Sequence, residues 1–393
     1  MRKQTSKSSS IWGVDSLFGI YIHIPFCKKA CTYCDFHFST AIQSKKPVLR
    51  AINSELILRK DEYFDVVDSI YFGGGTPTAI EISELASILE TIRENYNIAP
   101  NPEVTIEINP EDLSDDGFLA LKKIGFNRLS VGIQSFQNNV LKWMNRAHSG
   151  LKAIKVINAA HSSGFENISI DLIYGLPKFL NRDWNKDIET ALGLNVQHIS
   201  SYNLTQEKST KLHRDIVNGK YVLPDQESCS EEFDLLTAKL TSEGFHQYEV
   251  SNFSIEGYRS LHNSSYWTFK PYLGIGPSAH SYDGKKIRRW NVSNNKQYIK
   301  GVTEKEKFFQ QEELSNEDLA NEHILMGTRT ENGVDLAQLK LLLNSKQQQI
   351  LTQQIVALKD KSLITSQDNR LVVNKDNFLL SDYIARELFI LPL

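Results

Sequence analysis

The stretch IHIPFCKKACTYCDFHF, residues 22–38, runs from an apolar, β-branched segment straight into three of the chain's four cysteines. Cys27, Cys31 and Cys34 stand as C-x3-C-x2-C. Three thiols are one short of the four protein ligands that tetrahedral metal centres and iron–sulfur clusters usually take. They also follow directly on a predicted strand, so what they hold sits at a strand end.

Similar apolar runs recur outward from this one: FGIYIHIPF, VVDSIYFGG, PEVTIEINP, NRLSVGIQS, NISIDLIYGLP and VQHISSYNL. Between them lie amphipathic stretches such as ISELASILETIRENY, DDGFLALKKIG and GLKAIKVINAAHSSG, the last closing on a glycine. Strands and helices alternating at crossover spacing predict an α/β fold with a parallel sheet and helices outside. Two further strands are not evident after Leu204, so an incomplete parallel β/α barrel of about six units is expected in place of a full eight.

The expected organisation is a disordered tail over 1–17, the partial barrel over 18–245, a connecting region over 246–310 that contains HNSSYW, and a C-terminal domain over 311–393. That last domain reads as three helices, a hairpin in LITSQDNRLVV and a final helix, a smaller α+β unit with a winged-helix-like end. It carries 12 acidic against 8 basic residues, which argues against DNA binding. The whole chain has a net charge of −3 and gives no reason to expect nucleic acid or an anionic membrane as a partner. Four cysteines in 393 residues form no disulfide framework, so a cytoplasmic location is expected. No apolar run approaches the roughly 18 residues of a transmembrane segment.

Functional residues of parallel barrels gather at the C-terminal ends of strands. The three cysteines follow the first strand and GGGTPT (Gly73 to Thr78) the second. Glu107 with Asn109-Pro110 ends the third, Gln134 the fourth, and Asp171 with YGLP the fifth. A zinc site of Cys27, Cys31, Cys34 and His37 has formally closed tetrahedral spacing. Small zinc modules are usually self-contained, however, and this loop feeds from a barrel strand into its rim. The better fit is a 4Fe–4S cluster on three thiolates, with one iron left open to a small chelating molecule.

C-x3-C-x2-C beside a strand-end GGGTP resembles the radical S-adenosylmethionine superfamily. That resemblance implies adenosylmethionine on the open iron, one-electron chemistry and an electron donor to the cluster. YIHIPFC, CDF, GGGTPT, IEINP, SVGIQSF, Asn145-Arg146 and DLIYGLP are similar to the coproporphyrinogen dehydrogenase group. HNSSYW (His262 to Trp267) and YLGIGPSAHSY resemble one branch of it, the HemW-type haem chaperones. Together these likenesses span roughly residues 18–390.

The resemblance implies that Tyr21, Gly74 and Glu107 contact the cluster-bound adenosylmethionine. It implies that Gly75, Thr76, Gln134, Arg146 and Asp171 line a second adenosylmethionine or substrate pocket. It makes His262 an axial haem ligand, with Tyr266 and Trp267 as flat apolar faces, and makes haem and an acceptor haem protein the partners. Two departures separate the branches. Phe36 stands where the dehydrogenases carry a further cysteine, and only about 18 residues precede the first strand, where those enzymes have a longer arm. The expected function is therefore haem binding and transfer, with oxygen-independent coproporphyrinogen III dehydrogenase as the alternative. Cys229, in DQESCSEEFDLL, is expected to be an idle thiol.

Overall fold

The computed structural model describes residues 17–62 and 65–391, so the tail expected over 1–17 lies outside the described residues except for Leu17. Six strands follow one another as parallel neighbours: β1 (Leu17–Ile24), β2 (Val66–Gly74), β3 (Ile98–Ile108), β4 (Arg128–Gln134), β5 (Ile168–Tyr174) and β6 (His198–Asn203). Helices α1 (Lys45–Leu58), α2 (Ile82–Asn95), α3 (Asp115–Ile124), α4 (Asn138–Trp143), α5 (Gly150–Ser162) and α6 (Trp184–Leu192) fill the crossovers. The expected stops are present: Gly125 closes α3 at φ 112° and Gly164 follows α5 at φ 81°, left-handed positions that favour glycine.

The two-residue period of each strand separates two environments. Phe18, Ile20, Ile22 and Ile24 of β1, Ile106 and Ile108 of β3, and Leu129, Val131 and Ile133 of β4 are buried in the main apolar core. The alternate positions are polar: Glu103, Thr105 and Glu107 on β3, Arg128 and Ser130 on β4, Ser169 and Asp171 on β5, His198 and Ser200 on β6. A barrel interior filled only for stability would be aliphatic. This one is built around polar groups.

Beyond β6 come α7 (Lys211–Val217), α8 (Gln226–Ser242), β7 (His246–Gln247), β8 (Asn252–Ser254), α9 (Leu261–Trp267), β9 (Tyr272–Ile275), β10 (His280–Tyr282), β11 (Ile287–Asn291), α10 (Asn295–Glu304) and β12 (Phe309–Glu313). The stretch 246–310 does more than connect. β9 pairs parallel to β1, β10 to β12 continue antiparallel from it, and β8 pairs antiparallel to β6. The result is a 12-stranded sheet that is not closed, ordered β12-β11-β10-β9-β1-β2-β3-β4-β5-β6-β8-β7.

A buried carboxylate locks the added strands to the barrel. Glu55 of α1 is fully buried and accepts from Arg59 Nη1, Gly276 N, Asn291 Nδ2 and Tyr298 OH. Arg59 in turn donates to the Gly274 carbonyl and to Ser281 Oγ. The chain ends with α11 (Asn316–Thr328), β13 (Val334–Asp335), α12 (Leu336–Leu342), α13 (Ser345–Asp360), β14 (Ile364–Gln367), β15 (Arg370–Val373) and α14 (Ser381–Leu388). The hairpin read from sequence is β14–β15, and the short β13 joins it as a third strand. No helix among the described residues is long and apolar enough to cross a membrane.

Removing the Glu55 carboxylate deprives four donors of their acceptor, one of them a buried guanidinium. Glu55→Ala is expected to lower unfolding stability by about 3–5 kcal/mol. Glu62→Ala, at the partly exposed end of the same network, should cost less than about 1 kcal/mol. Urea unfolding midpoints measure both, and equal losses would show that the buried end carries no special weight.

Candidate functional site

The C-terminal ends of the strands open on a cavity of about 650 Å³, within the range of small-molecule sites. Its lining includes Cys27, Cys31 and Cys34 together with Gly74, Gly75, Thr76, Glu107, Gln134, Arg146 and Asp171. The structure thus brings these sequence-predicted residues to one place.

The cysteine loop is positioned by backbone. Gly75 N donates to the Ile24 carbonyl at 2.9 Å and Thr76 N to the Phe26 carbonyl at 2.7 Å, so the glycine run docks on the start of the loop. That contact explains Gly75, because a Cβ there would lie 2.7 Å from the Phe26 oxygen. Gly74, at φ 106°, would put a Cβ 2.6 Å from the His23 ring. The far side of the loop is tied down by Thr32 N to the Met144 carbonyl and by Asn145 Nδ2 to the Ala30 carbonyl.

Two polar side chains reach the thiols. Thr76 Oγ1 lies 3.6 Å from Cys27 Sγ, and Arg146 Nη1 lies 3.3 Å from Cys31 Sγ. Arg146 Nη2 also donates to Asn109 Oδ1 and to the Gly132 carbonyl. Burial pushes the Cys27 thiol up to about 11 and Cys34 up to about 12, so the thiolates need a cationic partner to form. His37 does not join them. Its Nε2 lies 2.8 Å from Asn295 Oδ1, and no three His, Cys, Asp or Glu side chains among the described residues are placed to hold a single metal ion. Three half-buried thiols face one cavity while His37 is engaged elsewhere, so the four-ligand zinc set is not assembled and a group held by three thiols suits the donor set better.

Deeper in the cavity, Tyr71 OH donates to Glu107 Oε1 at 2.8 Å. Burial raises the Glu107 carboxyl to about 7; the Tyr71 hydrogen bond opposes the rise and the charge of Asp171 adds to it. Burial likewise raises Asp171 to about 6, against hydrogen bonds from Ser200 and Ser130 and the charge of Arg128. Gln134 sits at φ 70°, where the β4–β5 register shifts. A non-glycine residue there is strained, and such strain gathers at ligand sites.

Tyr21 and His262 do not line the cavity. His23 Nε2 donates to the His37 carbonyl, which leaves its Nδ1 to accept from Tyr21 OH at 3.2 Å. His262 is 1% exposed. One ring nitrogen is 3.0 Å from Ser69 Oγ and the other 2.9 Å from Tyr266 OH. The ring stacks on Tyr71 at 5.1 Å, and burial lowers its pKa to about 3, which keeps it neutral. α9 therefore fills the barrel from below, its first amides capped by Glu103. Of the HNSSYW motif it is Asn263 that lines the cavity.

Sequence reasoning missed Arg128, Ser130, Tyr71, Ser200 and Tyr202 as lining residues. The signal was present: Arg128, Ser130, Gly132 and Gln134 fall on one face of β4 by strand alternation. Cys229 stands apart, packed beside Gly175.

Comparison with known proteins agrees with this layout. The description of the radical SAM superfamily matches residues 21–191, and the HemN C-terminal domain matches 314–380. The chain is 33% identical over 379 residues to the heme chaperone HemW of Mycobacterium tuberculosis H37Rv, covering 94% of each. It is 36% identical over 321 residues to that of Bacillus subtilis, covering 80% of this chain and 84% of the relative. Among solved structures, coproporphyrinogen III oxidase (HemN) from Escherichia coli superposes with a TM-score of 0.83. At 23% identity, over 95% of this chain and 90% of that one, it establishes the shared fold.

A carboxyl group raised on folding favours the native state at low pH. Its contribution is fully present below the ordinary value of about 4.5 and is lost as pH rises through about 7 for Glu107. Glu107→Gln removes that loss. Between about pH 5 and pH 8 the cluster-free wild type should lose up to about 3 kcal/mol more than the variant, measured by urea unfolding at each pH. Parallel pH profiles would show that Glu107 titrates normally.

Proposed function

This chain belongs to the heme chaperone HemW family within the radical SAM superfamily, and on that premise we propose that it binds haem and passes it to an acceptor haem protein. The observation that carries the proposal is the single cavity in which the three thiols and the polar barrel interior meet. Cys27, Cys31 and Cys34 would hold a 4Fe–4S cluster with one iron free for S-adenosylmethionine. When bound, that pair supplies one-electron reductive chemistry, fed by an external electron donor.

The chain's own residues do the rest. Arg146 sets the Cys31 thiol and offsets negative charge at the rim. Glu107, fixed by Tyr71, would serve adenosylmethionine as a hydrogen-bond acceptor or, once protonated, as a donor. Gly74, Gly75, Thr76, Gln134 and Asp171 shape the wall against the ligand. Tyr21 serves the cofactor at one remove, by orienting His23 beneath Gly74. Phe36, 67% exposed and lining the same cavity, gives an apolar edge to the mouth where the dehydrogenases have a cysteine.

His262 could ligate haem only by giving up Tyr266 or Ser69 for iron, a change that would displace α9 from its seat in the barrel. Haem binding through His262 would thus speed amide exchange over 260–267, because the Glu103 cap is lost. A Soret band that moves in His262→Ala, together with that faster exchange in the wild type, supports the ligand role. A band that does not move assigns the axial position to another group.

Anaerobic reconstitution with iron and sulfide tests the remainder on one preparation. Cys27→Ser is expected to lose the brown chromophore, and Cys229→Ser to keep it. Adenosylmethionine should perturb the reduced cluster's EPR spectrum. The reconstituted wild type should bind stoichiometric haem and leave coproporphyrinogen unconverted. Turnover of coproporphyrinogen without haem binding would overturn the chaperone reading in favour of the dehydrogenase.

A further inference from the structure

The deepest part of the cavity contains a guanidinium whose hydrogen-bonding the protein leaves incomplete. Arg128, the first residue of β4, is 1% exposed and lines the cavity. Its Nε and Nη2 are buried without an acceptor. Glu103 Oε2 lies 3.9 Å from Nε, beyond hydrogen-bond reach, and the Glu103 oxygens already accept from Ser260 Oγ, Leu261 N and His262 N. Glu103 is thus a charge partner without a hydrogen bond, and Asp171, which lines the same cavity, feels the Arg128 charge but accepts no hydrogen bond from it among the described residues. A buried guanidinium in this state is costly unless an anion completes it. Its planar fork matches a carboxylate through two parallel hydrogen bonds. Asn263, two residues past the Glu103-capped amide of Leu261, lines the cavity from α9 and adds an amide to the same floor.

We propose that Arg128 and Asn263 form a carboxylate-binding site at the floor of the barrel, completed by an acid group of the bound ligand. The inference rests on the haem reading for the ligand's identity and on the unsatisfied Nε and Nη2 of Arg128 for its chemistry. Two ligands of that reading carry carboxylates: haem, through its propionates, and adenosylmethionine. Arg128 and Gln134 are six residues apart on β4, about 20 Å at strand rise. An adenosylmethionine carboxylate held among the rim thiols is therefore far from the floor. The position favours a haem propionate.

The test uses the cluster-loaded full-length protein and three probes: haem, haem dimethyl ester and adenosylmethionine. The wild type should bind haem about ten- to a hundredfold more tightly than its ester, the worth of one charge-assisted pair. Arg128→Gln should bring haem down to the ester's affinity and leave the ester and adenosylmethionine within about twofold of wild type. Arg128→Lys should restore part of the preference for the free acid. A loss that falls on adenosylmethionine instead assigns the site to the cofactor's carboxylate. Should Arg128→Gln not fold, the wild-type preference and its reduction in Asn263→Leu decide the matter. Haem binding with no preference over the ester, and unchanged adenosylmethionine affinity in Arg128→Gln, would overturn the site and leave the chaperone reading intact. No haem binding by the wild type, with adenosylmethionine equally insensitive to Arg128, would overturn both.

Discussion

Arg146 is the tie on which the rim depends. One guanidinium reaches the Cys31 thiol, the Asn109 amide and the Gly132 carbonyl. Those groups belong to the loop after β1, the end of β3 and β4 itself. The strands end on one level because they are parallel, but nothing in a parallel sheet brings the loop of the first strand over the fourth. The arginine does so, and it brings positive charge to the Cys27 thiol, which burial pushes up. The second tie is the docking of Gly75 and Thr76 on Ile24 and Phe26. Together they set the cysteine loop over the polar interior, and the cavity between loop and floor is the consequence.

Much of this was legible in the sequence because local chemistry specifies it. The apolar alternation of FGIYIHIPF and the amphipathic period of the helices follow from backbone geometry. The strand-end rule then pointed to Glu107 and Gln134 without knowledge of their neighbours; Asp171, read as a strand end, lies in the middle of β5 and reaches the cavity from its inward face. What was not legible depends on partners far away in the chain. IRRWN and FQQEE carry no strand-like apolar alternation. β11 and β12 are held instead by Arg289 lying 3.4 Å over the Phe309 ring and by Arg288 pairing with Glu322. His262 meets Ser69 across 193 residues, and Glu103 caps its helix across 159. A short motif does not reveal that its histidine packs against Ser69 and Tyr266 while its asparagine faces the cavity. The glycine run was placed correctly at a strand end, but its reason proved to be the close approach of His23 and Phe26.

The interior carries the largest energetic tension in the molecule. Carboxyl groups at Glu107 and Asp171 are raised toward neutrality, a guanidinium at Arg128 lacks its acceptor, and neutral imidazoles at His198 and His262 sit in the same shell. Aliphatic side chains of similar volume would make a more stable barrel. Groups kept against that gradient, in a cavity with a mouth, mark a binding site. Stability is recovered outside it, in the aliphatic layer between sheet and helices and in the satisfied Glu55 network.

The same scaffold serves an oxidase in HemN, so the fold cannot distinguish carrying a macrocycle from transforming one. The difference must lie in how the cavity treats its ligand. Here α9 fills the N-terminal opening, with His262 wedged against Gly19 and Ser69. The cavity accordingly opens at the rim, past the thiols and the exposed Phe36, with Arg329 and Asp382 paired along its edge. A ligand that enters this way must leave this way. For an enzyme such a path is an inconvenience of product release. For a carrier the same path takes the cargo past the three-cysteine loop on the way in and on the way out. An apolar ring at the mouth and guanidinium N–H groups without acceptors at the floor also suit a flat, amphipathic acid that is gripped at one end.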